Sequence, residues 1–121
     1  MIADDHAAFR QVVKALLSAP AAEFVECENG LEAVAQYPRF RPDHVLMDIA
    51  MQDLDGLAAT AQIKARLPRT MVVGLTVHAG GEMQQAMKIA GAETVLTKEA
   101  AVDELYHTMQ LLLGSERSLH E

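Results

Sequence analysis

Short runs of Val, Ile, Leu and Met, most of them running up to a polar residue, alternate along this chain with longer stretches whose apolar residues recur every three or four positions. That alternation constrains the fold more than any other feature. Strands read as continuous apolar runs when a parallel sheet buries both of their faces, and the stretches between them supply crossover helices. Met1-Ile2-Ala3 ends a first strand just before Asp4-Asp5, and Phe24-Val25-Glu26-Cys27 makes a short second one. His44-Val45-Leu46-Met47 is a third, ending on Asp48. Met71 to Leu75 is a fourth, ending on Thr76, and Thr94-Val95-Leu96 is a fifth, ending near Lys98.

Five helices are expected to link and follow these strands. Phe9, Val12, Val13, Leu16 and Leu17 share one helical face before a break at Pro20. The turn signal Asn29-Gly30 opens a short helix carrying Leu31, Val34 and Ala35, which ends near Pro38. Leu57, Ala61, Ile63, Ala65 and Leu67 mark a third helix closed by Pro68; Met83, Ala86, Met87 and Ala90 mark a fourth, with Gly91 as its C-terminal cap. Val102, Leu105, Met109 and Leu112 form the last amphipathic face.

Composition narrows the class of function. The 121 residues suit one domain, and with half of them hydrophobic, only 4% aromatic and no Trp, the core must be aliphatic. A net charge of −7 argues against direct nucleic-acid binding, which concentrates Lys and Arg. The single Cys27 cannot form an internal disulfide and reads as a core filler, no segment resembles a secretory signal, and no apolar run is long enough for a bilayer. A cytoplasmic setting is therefore expected. Residues 1–113 are expected to form the domain, with 114–121 as a polar tail or linker stub.

Open parallel sheets bind ligands beyond the carboxyl ends of their strands, where the winding direction switches. The polar residues at those ends are Asp4, Asp5, Asp48, Thr76 and Lys98, and they should converge. Three carboxylates repel one another, and a hard divalent cation such as Mg²⁺ relieves that repulsion. His6 and His78 flank the pocket, but without cysteine or a second histidine at ligand spacing an oxygen-bound ion is favoured over a transition metal. Asp53 and Asp55 read as loop and helix caps, and His44, His107 and His120 as surface or strand-edge residues. A carboxylate becomes a competent nucleophile when a phosphoryl donor is held in line and cations neutralise the charge on the transferred group. The product would be an aspartyl phosphate.

Four segments, Asp4-Asp5-His6, Asp48 to Gly56, Leu75-Thr76-Val77-His78 and Gly91 to Lys98, resemble in order and spacing the motifs of response-regulator receiver domains of the CheY-like superfamily. The Asp-Asp-His opening and the Thr-Val-His segment are most similar to the NarL/FixJ group, which precedes LuxR-type helix-turn-helix domains. The resemblance implies a single doubly wound, flavodoxin-like (βα)5 domain, with a five-stranded parallel sheet of order 2-1-3-4-5 and helices on both faces. It implies that Asp48 is the phosphorylation site, that Asp4, Asp5, Asp48 and the Ala50 carbonyl bind Mg²⁺, and that Thr76 and Lys98 contact the phosphoryl group. A sensor histidine kinase is the implied partner, homodimerisation on phosphorylation stays open, and transcription would be regulated through an effector domain outside this chain.

The chain departs from the family pattern at several positions. Only Met1-Ile2-Ala3 precede the acidic pair, which leaves open a start further upstream; a first strand this short is expected to weaken metal affinity. Gln52 stands at a common proline position and should loosen its loop. Val95 replaces the usual switch aromatic, Met83 replaces another on the output face, and Glu99 stands where a cis proline is common, so Lys98-Glu99 is expected to be trans. Two rival functions remain. One is an aspartate-nucleophile phosphatase, which would normally carry a second acid where this chain has Ala50. The other is a non-phosphorylated pseudo-receiver that mediates protein contacts.

Overall fold

The computed structural model describes residues 1–18, 23–51, 53–78 and 80–120. The expected break at Pro20 and the substitution at Gln52 lie outside the described residues. Five strands, β1 (Ile2–Ala3), β2 (Glu26–Cys27), β3 (His44–Asp48), β4 (Met71–Thr76) and β5 (Thr94–Thr97), pair in parallel in the order β2-β1-β3-β4-β5. Five helices accompany them: α1 (Ala7–Leu16), α2 (Gly30–Phe40), α3 (Gly56–Arg66), α4 (Gly81–Ala90) and α5 (Lys98–His120). This is the expected fold and strand order. Winding runs outward in both directions from β1 and β3, so the crevice between their carboxyl ends is the switch point.

The period-two alternation of side chains divides the core into two layers. Ala3, Val45, Met47 and Val72 pack with Ala33 and Tyr37 of α2, Ala59 and Ile63 of α3 and Met87 of α4. Ile2, Leu46, Val73 and Leu75 face the opposite way, onto Val13 of α1 and Ala101 and Leu105 of α5. Val95 sits opposite Gly74 in the β4–β5 register and, with the Met87 methyl, occupies the space a side chain at Gly74 would take. Cys27 is fully buried, as a core filler should be.

Several helix faces are rotated from those read in the sequence. Val12, Leu31, Val102 and Met83 are exposed, as are Ala35, Ala61 and Ala65. The stripe that packs on α2 is Gly30, Ala33 and Tyr37, and on α5 it runs through Ala101, Leu105, Met109 and Leu112. The apolar residues outnumber the positions that one helix can bury, and small Ala33 and Ala101 allow closer approach than the larger neighbours chosen from periodicity. α2 continues two residues past Pro38, because a proline in the last turn removes only one backbone bond; Arg41 then closes the helix with φ 45°.

Helix ends follow local chemistry. The Asn29 and Asp55 side chains accept from Glu32 N–H at 2.8 Å and Ala58 N–H at 2.9 Å, starting α2 and α3. Gly91 ends α4 at φ 119°, as its sequence position indicated. β2 covers only the second half of the expected strand, although Val25 already accepts from Ile2 N–H at 2.8 Å. α5 runs on to His120, through residues 114–120 of the segment read as a polar tail. No peptide bond among the described residues is cis, so Lys98-Glu99 is trans as expected.

Candidate functional site

Four of the side chains singled out from strand ends meet at the switch point. Asp48 is the last residue of β3, Asp4 follows β1 directly, and Lys98 is the first residue of α5, immediately after β5. Lys98 Nζ lies 2.8 Å from Asp4 Oδ2 and 3.2 Å from Asp48 Oδ2, bridging two carboxylates that are almost completely buried. Asp5 is half-exposed at the rim, 2.9 Å from His6 Nδ1. Ligand atoms of Asp4, Asp5, His6 and Asp48 all lie within 4.8 Å of one another.

Backbone donors hold the two buried acids in place. Asp4 Oδ1 accepts from His6 N–H at 2.8 Å, and Asp48 Oδ1 accepts from Ala50 N–H at 3.2 Å. Gly56 N–H donates to Ile49 O at 3.0 Å, drawing the start of α3 against the acceptor strand. A Cβ at Gly56 would stand 2.2 Å from the Asp48 carbonyl oxygen, so only glycine permits that approach. The intervening Asp53 and Leu54 adopt φ of 50° and 80°, a costly geometry for non-glycine residues. Two contacts hold them there: Asp53 O accepts from Leu31 N–H at 3.0 Å, and Leu54 packs on the core.

The electrostatics reflect crowding of like charge. Burial, then the neighbouring Asp4 charge, push the Asp48 pKa above the usual carboxylate value, against the opposing pull of Lys98. Burial alone would lower the Lys98 pKa, but hydrogen bonds and charge from Asp4 and Asp48 outweigh it, and the net shift is upward. Three carboxylates and one ammonium leave the cluster with a net charge of −2 when all are ionised. Three carboxylates with a deficit of two positive charges, and with the His6 imidazole at the exposed rim, fit a hard divalent cation such as Mg²⁺ held through the carboxylate oxygens.

Thr76 closes β4 in register with Thr97, next to Lys98, but its hydroxyl is engaged elsewhere. It donates to His78 O at 3.1 Å and accepts from His78 N–H at 3.3 Å, shaping the turn after β4. Ala50 is exposed just beyond Asp48. Two residues of α1 that the sequence did not assign to the site also reach it. The Phe9 ring centroid lies 4.9 Å from Lys98 Nζ, and Arg10 donates from Nη1 to the Asp4 carbonyl at 2.7 Å. Arg10 had a legible signal: it is a charge on the buried stripe between Phe9 and Val13, and such a charge requires a partner.

The chain matches the family model described as the response regulator receiver domain over residues 1–110. It is 35% identical over 112 residues to the chemotaxis protein CheY of Listeria monocytogenes, covering 91% of this chain and 93% of that protein. To the transcriptional regulatory protein DegU of Brevibacillus brevis it is 32% identical over 122 residues, spanning 99% of this chain but 52% of that relative. Among solved structures, a LuxR-family two-component response regulator from an Aurantimonas species superimposes with a TM-score of 0.85 at 27% identity, over 94% of this chain and 84% of that one. Among the described residues, no helix is long and apolar enough to cross a membrane. The switch-point cluster and these matches together identify the chain as a member of the response regulator receiver domain family of two-component systems.

Proposed function

We propose that this chain is a phosphoryl-accepting switch in which Asp48 takes a phosphoryl group from a sensor histidine kinase. Receiver domains of the family are in general phosphorylated and bind Mg²⁺. The observation that carries the reading is the bridge from Lys98 to two buried carboxylates inside a cluster with a net charge of −2. In the transfer, an Asp48 carboxylate oxygen forms a bond to phosphorus while the bond from phosphorus to the donor's imidazole nitrogen breaks. Asp4, Asp5, Asp48 and the Ala50 carbonyl would hold Mg²⁺, which supplies positive charge against the negative oxygens of the transferred group. Lys98 turns from the paired carboxylates towards a phosphoryl oxygen, as a single point charge can. Thr76 exchanges its bond to His78 O for one to a second phosphoryl oxygen.

Output then follows from the loss of two contacts, Lys98 to Asp4 and Thr76 to His78, both at the start of the α4–β5–α5 side. Val95 packs opposite Gly74 and carries no ring that could rotate, so the relay rests on backbone and Thr76 movement. We take residues 1–113 as the receiver body and 114–121 as the segment leading away from it. In a longer protein built like the transcription regulators it resembles, this domain would control a DNA-binding effector from the cytoplasm, through homodimerisation or release of that effector. Ala50 supports a switch over a phosphatase, which would place an acid there.

Acetyl phosphate with Mg²⁺ tests the reading. One phosphoryl group retained per chain and then slowly lost is the expected result; continuous release of phosphate over many turnovers would establish an enzyme instead. No uptake at all would leave a pseudo-receiver.

A further inference from the structure

Arg10 is a cation 8% exposed, on the helix face that packs against the sheet. A buried guanidinium persists only when its donors are paired, and here they span two elements. Nη1 donates to the Asp4 carbonyl at 2.7 Å, and Nε donates to Glu26 Oε1 of β2 at 3.0 Å. The other Glu26 oxygen holds Lys14 Nζ at 3.2 Å. Hydrogen bonds from Arg10 first, and Lys14 second, hold the Glu26 carboxyl below its usual pKa.

The Asp4 carbonyl belongs to the peptide that joins Asp4 to Asp5. Asp4 N–H makes the last β1–β2 bond, to Cys27 O at 3.0 Å, and the register ends one residue earlier at Ala3 and Cys27. Beyond that bond the sheet no longer fixes the chain. Because a peptide is planar, anchoring its carbonyl oxygen sets the plane of the unit and hence the direction of the Asp5 Cα. We propose that Arg10 is a positioning residue for the cation site, braced by Glu26, and that it sets the angle at which Asp4 and Asp5 present their carboxylates. This rests on the reading of those two acids as cation ligands given above.

The direction of the effect separates positioning from simple charge. As a nearby positive charge, Arg10 opposes cation binding, so its removal would tighten Mg²⁺; as a positioning group, its removal loosens Mg²⁺. Arg10→Met keeps most of the side-chain stem and removes every donor. Titration with MgCl2, followed by amide resonances of the folded variant well below its melting temperature, should give a dissociation constant raised by about tenfold or more, the usual cost of losing a group that orients a metal ligand. An unchanged or tighter constant, even with a lowered melting temperature, would make Arg10 purely structural and overturn the proposal. If the variant does not fold, the Arg10 side-chain nitrogen resonances of the unmodified chain decide. They should move along the same saturation curve as the Asp4 and Asp5 amides, and no movement would overturn the proposal. Failure of the unmodified chain to bind Mg²⁺ would refute the reading of the site itself, and the role of Arg10 with it.

Discussion

Replacing Lys98 by methionine removes the cation that bridges both buried acids of the pocket, leaving Asp4 and Asp48, 0% and 2% exposed, facing each other. At 2.8 Å and 3.2 Å, and with an effective dielectric constant of about 20, each lost attraction is worth roughly 5–6 kcal/mol before solvation is counted. Breaking one side of a buried pair costs about 3–5 kcal/mol net, and the methionine side chain restores part of that through apolar packing. The expected loss at pH 7 is therefore about 3 kcal/mol, a drop in Tm on the order of 10 °C for a domain of this size. Burial and the Asp4 charge already raise the Asp48 pKa in the fold. Between the unfolded and the folded pKa the folded state therefore binds more protons than the unfolded chain, and stability rises as pH falls through that window. Removing Lys98 raises the folded pKa further and widens that window upward. Thermal and urea unfolding of both proteins between pH 7 and about pH 4, near the unfolded carboxylate pKa, should therefore show the gap between them closing as pH falls. A gap that stays constant, or widens in acid, would refute the electrostatic account of the pocket.

Three further substitutions test the packing of the fold. Gly56→Ala forces a methyl to within 2.2 Å of the Asp48 carbonyl oxygen, and should cost about 3 kcal/mol in denaturant unfolding and weaken Mg²⁺ binding. Gly81→Ala, where an added Cβ would meet no side chain or other segment among the described residues within 4 Å, should be neutral or stabilising by up to about 1 kcal/mol. Thr60→Val replaces a fully buried hydroxyl that has no hydrogen-bond partner among the described residues with an apolar group of the same shape, and should raise stability by roughly 1 kcal/mol without changing phosphorylation.

The polar positions at strand ends were legible because buried parallel strands advertise themselves as apolar runs, and the residue that breaks each run marks its carboxyl end. Asp48 and Thr76 stand at such breaks, and Lys98 directly follows Thr97, which ends β5. Helix faces were less legible. Leu31 and Val102 are as apolar as the residues that pack, and only the three-dimensional spacing of α2 and α5 against their neighbours selects Tyr37 and Ala101 instead. The orientation of the Thr76 hydroxyl depends on the turn through His78, a backbone path that periodicity does not encode. Arg10 and Phe9 reach the pocket only because β1 and α1 pack side by side, and no single spacing in the chain announces that contact.

The acceptor assignment is tested most directly by locating the phosphoryl group. Chain treated with acetyl phosphate and Mg²⁺, reduced with borohydride and digested, should carry the reduced residue at position 48, with no uptake by Asp48→Asn or in the presence of a chelator. Modification at another carboxylate, or equal uptake by Asp48→Asn, would contradict the account.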